Sequence, residues 1–379
     1  MRCSGVKNRL SSVLRMGVWV AAVFLGLLIA FWPGPARGGS APTAWGPMKE
    51  IETAAVKEGK AVIYAAPGHT SPDAERAMSQ VFKERYGVTV EWVSIGAQDI
   101  APRILTEQRT QQYVADIVMT GFPIFYSLLK PRGYLAPILA PSSLERGVWR
   151  VDPAVMSAGE REFFFLKASL TPAFFINTSL IRPGEEPKAY TDLLDPKWKG
   201  KIVFQIPWVG GSGSGWFQAT YKKLGLDYMR SLAKQVFLVP NVNDVPDAVG
   251  RGTHAVAIAS STDRSRQLIQ QGAPVRFLHP REGSFLTSQG IYFLANPARP
   301  NAAKLFLNWF YSKEGQDVYA KNTNSIPLRK DVSQEHIPPD ERFVEGQPLM
   351  VAEWTKEELT PEKIAQAAGL AKQIFGGSQ

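Results

Sequence analysis

The sequence predicts an α/β fold made of two successive sets of strands and helices. From Lys60 onward, short apolar runs of strand length alternate with segments of helical periodicity, a pattern typical of largely parallel sheets with helices packed against them. Hydrophobic residues make up 45% of the chain and 10 residues are Trp, which is ample material for packed cores. The 379 residues suit two domains of roughly 100 to 200 residues each.

The first set contains three predicted strands, each followed by a polar turn. Ser71 is the predicted N-cap of the first helix, and Pro72 suits the first helical position because proline lacks the amide hydrogen that a helix start leaves unpaired. The predicted strands span 61–66, 88–95 and 116–119, and the predicted helices span 72–85 and 101–112.

Small or polar residues follow each of these three strands. In open α/β sheets, ligands bind outside the carboxyl ends of the strands. The turns are therefore the first candidates for a binding site. The candidate residues of this set are His69, Thr70, Ser71, Ser94, Thr120 and Gly121.

The second set follows a strand-like stretch over 163–176. Its predicted strands span 201–206, 236–239, 255–259 and 275–278. A further apolar strand over 288–295 precedes helices over 302–311 and 314–321, and a last helix over 361–375 is expected to be a packing or surface element.

A glycine-serine loop over 208–215 is the most informative local feature of the second set. Glycines let the backbone approach a ligand closely, and free N–H groups at the following helix start favour an anion. The alternative is a flexible turn with serine caps. Trp208 could add an apolar or stacking wall beside an organic ligand. The candidate residues here are Trp208, Gly211, Ser212, Gly213 and Ser214.

A second polar run, Ser261, Thr262, Asp263 and Arg264, follows the strand over 255–259. Ser261 or Thr262 can cap the next helix, and Asp263 suits the positive end of its dipole. Arg264 could instead clamp an anion with two parallel hydrogen bonds. The sequence leaves open whether this run caps the helix or binds an anion.

Signatures of catalysis are absent from the sequence. There is no G-x-S-x-G elbow, no Walker A lysine after the glycine cluster and no zinc-protease histidine spacing. Cys3 is the one cysteine, so neither a disulfide framework nor a thiol redox site can form within the chain. We predict that the protein is not an enzyme and holds no cofactor or metal; an exported hydrolase built from scattered residues is the alternative from another class.

The first 38 residues have the three parts of a secretory signal peptide. Basic residues precede an apolar run over 16–32, a Pro33-Gly34-Pro35 break ends that run, and Ala36 and Gly38 offer small residues for cleavage after Gly38. An uncleaved anchor is the alternative, because the run is near the lower limit of about 17 residues for spanning a bilayer. We predict cleavage and export to the periplasm.

The net charge is largely a property of this segment. Five of the 43 Lys and Arg residues and none of the 34 Asp and Glu residues lie in 1–38, so the formal charge of the remainder falls from +9 to +4. A nucleic-acid partner is therefore not predicted.

Five segments, in order along the chain, carry a resemblance to one family. They are 115–118 (ADIV), 174–178 (FFINT), 190–202 (YTDLLDPKWKGKI), 312–316 (SKEGQ) and 326–331 (IPLRKD). The segments resemble the bacterial extracellular solute-binding proteins of family 1, the group that serves ABC transporters for ferric iron, polyamines and sugar phosphates.

The resemblance implies a type II periplasmic binding protein with two α/β lobes joined by crossover strands over 168–176 and 288–294. The first lobe would comprise 39–170 plus 289–379, and the second 171–288. The protein would be a monomer that closes on its ligand by hinge bending, because the closed state adds contacts to the ligand. Its partners would be an inner-membrane permease and the ATPase of that permease.

The same resemblance bears on the ligand. Iron-binding members of the family carry two adjacent tyrosines, and those positions match Thr262 and Asp263 here; their acidic ligand matches Gly121, and their histidine lies one position from His69. Ferric iron needs hard anionic oxygen donors. A small organic anion, phosphorylated or carboxylated, is therefore the expected ligand, and ferric iron is the alternative.

Overall fold

The computed structural model describes residues 44–121, 124–150, 163–165, 170–171, 174–286, 289–339, 342–346, 348–350 and 356–377. The predicted signal segment, 1–38, lies outside these ranges. None of the helices in the described part of the chain is long and apolar enough to span a membrane.

The described strands and helices follow the alternation that the sequence predicts. The strands are β1 Lys60–Ala65, β2 Thr89–Ser94, β3 Ile117–Gly121, β4 Leu135–Ala136, β5 Phe163–Phe165, β6 Leu170–Thr171, β7 Phe174–Asn177, β8 Ile202–Gln205, β9 Val236–Val239, β10 Val256–Ile258, β11 Val275–Leu278, β12 Ser284–Leu286, β13 Gln289–Leu294 and β14 Leu349–Met350. The α-helices are α1 Met48–Glu58, α2 Pro72–Tyr86, α3 Ala97–Thr110, α4 Ile124–Leu129, α5 Ser212–Leu224, α6 Leu226–Ala233, α7 Asp244–Gly250, α8 Thr262–Gln270, α9 Pro300–Phe310, α10 Lys313–Thr323 and α11 Pro361–Phe375.

The first sheet has the strand order β2-β1-β3-β13-β4, with β5 beside β13. β1 pairs in parallel with β2 and β3, so the carboxyl ends of these three strands share one edge. β13 runs antiparallel to β3, and Gln289 at its start pairs with Gly121 at that same edge. We call this sheet and its helices α1 to α4, α9 and α10 the first lobe.

The second sheet has the order β11-β7-β10-β8-β9. β8 is parallel to both β9 and β10, which again brings the carboxyl ends of three strands to one edge. β7 is antiparallel to β10, so Phe174 at its start pairs with Ile258 at this edge. This sheet and the helices α5 to α8 and α11 form the second lobe.

Both sheets are covered on two faces, which explains their nearly unbroken apolar strands. In β1, Ile63 faces one core cluster of the first lobe and Tyr64 the other, and both are fully buried. In β8, Phe204 and Val203 divide in the same way between the two clusters of the second lobe. Side chains alternate between the faces of a strand, so β1 and β8 each contribute to two cores.

Two short strands carry the chain between the sheets. β6 follows β5 of the first sheet and precedes β7 of the second; β12 lies between β11 of the second sheet and β13 of the first. β6 and β12 pair antiparallel, and β14 adds a third strand beside β12. Two crossover strands are therefore present, as the fold class predicts. The predicted bounds 168–176 contain β6 and β7, whereas the predicted bounds 288–294 coincide with β13 of the first sheet, and the second crossover strand, β12, precedes them. Residues 168–169, 172–173 and Ser288 of the predicted segments lie outside the described residues.

Two features differ from the sequence-based expectations. Helix α3 begins at Ala97, directly after its N-cap Gly96, rather than near residue 101, so Pro102 lies inside the helix. The resemblance places the last helix, α11, in the first lobe, yet Ala371 and Phe375 lie in the core of the second. The predicted boundary at 289–379 therefore does not describe how this helix packs.

Candidate functional site

The polar edge of the first sheet is built around the turn that follows β1. Ser71 is the N-cap of α2 as predicted: its hydroxyl accepts from the Ala74 amide at 3.2 Å and donates to the Asn322 carbonyl at 3.2 Å. The Tyr319 hydroxyl donates to the His69 carbonyl at 2.6 Å. Helix α10 thus holds the turn from behind, and Ser71 is engaged in structural contacts.

The predicted residues His69 and Thr70 lie inward of Ser71 in the same turn. The His69 side chain is buried, with Nδ1 3.5 Å from the Pro67 carbonyl. The Thr70 hydroxyl is also buried and has no hydrogen-bond partner among the described residues. A buried hydroxyl of this kind costs about 1 to 3 kcal/mol if nothing pairs with it, which favours a partner that arrives from outside the chain.

Gln289 connects this turn to the end of β3, and sequence reasoning missed it. Its amide nitrogen donates to the Gly68 carbonyl at 3.4 Å, and its backbone pairs with Gly121. Its side-chain oxygen is buried without a hydrogen-bond partner among the described residues. The available signal was a polar side chain near the start of the apolar strand predicted over 288–295.

Thr120 and Gly121 end β3 beside Gln289. Thr120 is 2% exposed and pairs with Gly290 across the sheet. The Tyr292 hydroxyl lies 3.4 Å from the Gly121 carbonyl, and burial raises the pKa of Tyr292, so the phenol stays neutral and can donate. Ser94 ends β2 at the same edge and is exposed.

The polar edge of the second sheet is organised by Gln205, the last residue of β8, which the sequence analysis did not single out. Its side chain is buried and makes contacts with both amide atoms. Oε1 accepts from the Gly213 amide at 3.0 Å and the Ser212 hydroxyl at 3.4 Å, while Nε2 lies 3.3 Å from the carbonyls of Gly210 and Pro240. One glutamine thus fixes the glycine-serine loop at the start of α5 and ties it to the loop after β9.

The glycines of this loop are needed because Gln205 lies so close. A Cβ on Gly213 would be 2.4 Å from the Gln205 carbonyl oxygen, and a Cβ on Gly211 would be 2.6 Å from its Oε1. Gly211 also has a φ of 126°, which side chains rarely adopt. The loop is therefore a built structure rather than the flexible turn that the sequence left open.

The remaining residues of the loop differ in exposure. Trp208 is half-buried and packs against the second-lobe core, and the Ser214 hydroxyl accepts from Gln218 at 3.2 Å. The N-cap residue of helix α5 is Gly211, so no side chain caps the start of this helix. The free amides in the first turn of a helix favour an anion. One amide of this first turn, that of Gly213, already donates to the Gln205 side chain.

The second polar run lies at the start of α8. Ser261 is the N-cap residue, as one of the two predicted alternatives, and its hydroxyl makes no capping hydrogen bond. Thr262 is half-buried in the first turn, and the side chain of Asp263 lies outside the described atoms. Neighbouring Ser260 is buried, with its hydroxyl 2.8 Å from that of Ser265.

Arg264 is paired within the protein. Its Nε donates to the Asp247 carboxylate on α7 at 2.7 Å, and its Nη1 donates to Gln267 at 3.1 Å. The pair is only partly exposed, at 33% for Arg264 and 24% for Asp247. An anion at this point would share the guanidinium with a carboxylate, which weakens the predicted clamp.

The described residues contain no group of three or more His, Cys, Asp and Glu side chains that could hold a metal ion. Tyr292, whose hydroxyl lies 3.4 Å from the Gly121 carbonyl at the first edge, is a neutral buried phenol. The chemistry available at the two edges is therefore that of hydroxyls, amides and helix N-termini.

The two edges lie on either side of the hinge. β12 ends at Leu286 and β13 begins at Gln289 on the first edge, while β6 ends at Thr171 and β7 begins at Phe174 on the second. Three residues span at most about 11 Å. Each crossover strand therefore enters its sheet at the polar edge, which places both edges next to the same hinge.

Comparison with known proteins gives the same architecture. Iron-bound HitA from Pseudomonas aeruginosa superposes with a TM-score of 0.65 at 21% identity, covering 83% of this chain and 99% of that one. The periplasmic binding protein AfuA from Actinobacillus pleuropneumoniae, with fructose-6-phosphate bound, superposes with a TM-score of 0.64 at 18% identity, covering 84% and 99%. These likenesses show a two-lobed type II periplasmic binding protein fold.

Sequence comparison agrees with the fold. A protein of Haemophilus influenzae described as uncharacterized is 23% identical over 296 residues, 76% of this chain and 83% of that protein. The family model for bacterial extracellular solute-binding proteins matches residues 77–345, which is more than half of the chain. The protein therefore belongs to the bacterial extracellular solute-binding proteins, a family of ABC-transporter binding proteins rather than enzymes.

Proposed function

We propose that the protein captures a small organic anion, phosphorylated or carboxylated, between its two polar edges. The observation that carries this proposal is the loop fixed by Gln205, which presents the start of α5 and the Ser212 and Ser214 hydroxyls next to the hinge. Such a constellation suits an oxyanion. The opposite edge, with His69, Thr70, Thr120 and Gln289, would bind the polar remainder of the ligand.

Ferric iron is supported less well by the same residues. HitA from Pseudomonas aeruginosa is iron-bound, and AfuA holds a sugar phosphate on the same fold, so the fold itself does not choose between them. A ferric site needs several anionic oxygen donors, and the described residues offer no such cluster.

The proposed role continues beyond binding. The loaded protein would act as a monomer in the periplasm, after removal of 1–38, and would deliver its ligand to an inner-membrane permease and the ATPase of that permease. Closure would move the lobes about the strands β6 and β12, and the ligand would favour the closed state through contacts made to both edges.

A thermal-shift panel tests the ligand class. The panel pairs fructose with fructose-6-phosphate, an uncharged diol with the dicarboxylate of the same carbon skeleton, and citrate with ferric citrate. We expect at least one anion to raise the melting temperature while its uncharged partner does not, because a ligand bound to the folded state stabilises that state. Stabilisation by ferric citrate but by no iron-free anion would overturn the proposal in favour of iron.

Arg264 gives a second test, once the panel has supplied an anion. Replacing Asp247 by asparagine removes the carboxylate that competes for the guanidinium. We expect the anion to bind about fivefold more tightly, since a partly exposed ion pair is worth roughly 1 kcal/mol. Isothermal titration calorimetry measures the change.

Asp244→Asn is the matched control, because Asp244 is exposed at the start of the same helix and changes the net charge equally. An equal gain in affinity in both variants would attribute the effect to net charge. No gain in affinity in Asp247→Asn would show that Arg264 does not bind the anion.

A further inference from the structure

The C-terminal segment, 358–375, contributes buried side chains to the cores of both lobes. Leu359 is 6% exposed and belongs to the core cluster of the first lobe that contains Phe125, Tyr126 and Leu129 of α4. Helix α11 also lies against α4. One end of the segment is therefore anchored in the first lobe.

The other end is anchored in the second lobe. Phe375 is fully buried, with its ring centroid 5.9 Å from that of Phe204 on β8 and 6.2 Å from that of Phe217 on α5. Ala371, one helical turn earlier, is also fully buried in this core. Burial of a large apolar side chain is favourable, so each anchor stabilises the contact between the segment and its lobe.

A single helix joins the two anchors. Thr360 caps α11, accepting from the Lys363 amide at 3.3 Å, and Pro361 occupies its first position. The helix thus starts two residues after Leu359 and ends at Phe375. Lys222 on α5 adds an ion pair to Glu358, next to the first-lobe anchor.

Each anchor adjoins an element of the candidate site. Helix α4 begins three residues after Gly121, which ends β3 at the first edge. Phe204 directly precedes Gln205, and Phe217 lies on the helix that starts with the glycine-serine loop. The segment therefore connects the supports of both edges by a route separate from β6 and β12.

We propose that residues 358–375 form a strap that limits how far the two lobes can move apart. The proposal rests on the hinge motion of the proposed function. Conformations in which Leu359 leaves its core lose the free energy of that contact, so the strap restricts the range of interlobe distances. Weakening either anchor widens that range and populates separations that the intact protein does not reach.

Double electron–electron resonance on the ligand-free protein tests the strap. Spin labels are placed on exposed helix positions, through Lys83→Cys on α2 of the first lobe and Gln270→Cys on α8 of the second, in a Cys3→Ser background. We expect Leu359→Ala to broaden the distance distribution toward distances absent from the labelled parent. Because no ligand is used, the result does not depend on which solute the protein binds.

Leu135→Ala is the matched control for lost stability. Leu135 belongs to the same core cluster and is 7% exposed, compared with 6% for Leu359, but it lies on β4 of the first sheet. We expect the control to lower stability similarly and to leave the distance distribution unchanged. A Leu359→Ala distribution equal to that of the parent, or an equal broadening in Leu135→Ala, overturns the strap.

A surface variant covers the case in which Leu359→Ala does not fold. Lys222 is 44% exposed, so Lys222→Glu is compatible with folding and places two like charges together. We expect this variant to broaden the distribution and the charge-swapped double variant, Lys222→Glu with Glu358→Lys, to restore it. A single variant without broadening, or a swap that fails to restore the parent distribution, contradicts the proposal.

Discussion

Replacing Gly213 by alanine is expected to weaken anion binding by at least about tenfold, the cost of one charge-assisted hydrogen bond of roughly 1.5 kcal/mol or more. The new Cβ would lie 2.4 Å from the Gln205 carbonyl oxygen and 3.1 Å from the Gln205 Cβ. Both are rigid parts of β8, so the start of α5 must move. That movement stretches the hydrogen bond from the Gly213 amide to Gln205, now 3.0 Å, and displaces the loop that faces the ligand.

Stability and binding should respond differently to this change. Alanine is favoured over glycine inside a helix by about 1 kcal/mol, whereas an overpacked buried site costs about 1 to 3 kcal/mol. We therefore expect a net loss of stability below about 2 kcal/mol, too small to unfold the protein. Chemical denaturation and calorimetric titration of the same preparation separate the two effects.

Gly210→Ala is the control for the loop. An added Cβ there meets nothing within 4 Å, and Gly210 keeps the carbonyl that faces Gln205. Affinity and stability should both stay close to those of the unsubstituted protein. If Gly213→Ala binds as tightly as Gly210→Ala, the start of α5 does not contact the ligand and the proposed site is wrong.

The sequence could predict the strands, their polar ends and the loop, since these follow from local patterns. It could not single out Gln205, because a glutamine after an apolar run over 202–204 is the normal end of any strand. The close contact with Gly213 depends on how the chain returns after the loop. That return is a property of the folded backbone rather than of the pattern.

Contacts between distant segments account for the rest of the difference. Asp247 and Arg264 are 17 residues apart and meet because α7 and α8 are neighbours in the fold. Phe375 lies in the core of the second lobe and contacts Phe204, which is 171 residues earlier in the chain. Periodicity reports that α11 has an apolar face, but it does not report which core that face covers.

Asp116 offers a last expected result, on stability. Its carboxylate is fully buried and accepts from the Arg299 Nε at 2.7 Å, the Arg299 amide at 3.0 Å and the Val62 amide at 2.8 Å. Arg299→Met removes the charged partner and leaves the carboxylate buried. Breaking a buried pair in this way costs about 3 to 5 kcal/mol. Urea denaturation measures the loss.

Arg76→Met is the matched control, because the Arg76 and Asp73 side chains are 72% and 76% exposed in an ion pair of the same type. We expect a change within about 0.5 kcal/mol there. Similar losses in the two variants would show that Arg299 does not compensate a buried charge.

The pH dependence distinguishes a lost charge partner from lost packing. Burial raises the pKa of Asp116 above 3.8, and Arg299 opposes that rise, so the pKa of the folded Arg299→Met variant should be higher still. The loss of stability in Arg299→Met is then complete above the pKa that Asp116 has in the folded variant. The loss shrinks as the pH falls below that pKa toward 3.8, because a neutral carboxyl is less costly to bury. A difference between variant and parent that stays constant with pH would assign the loss to packing alone.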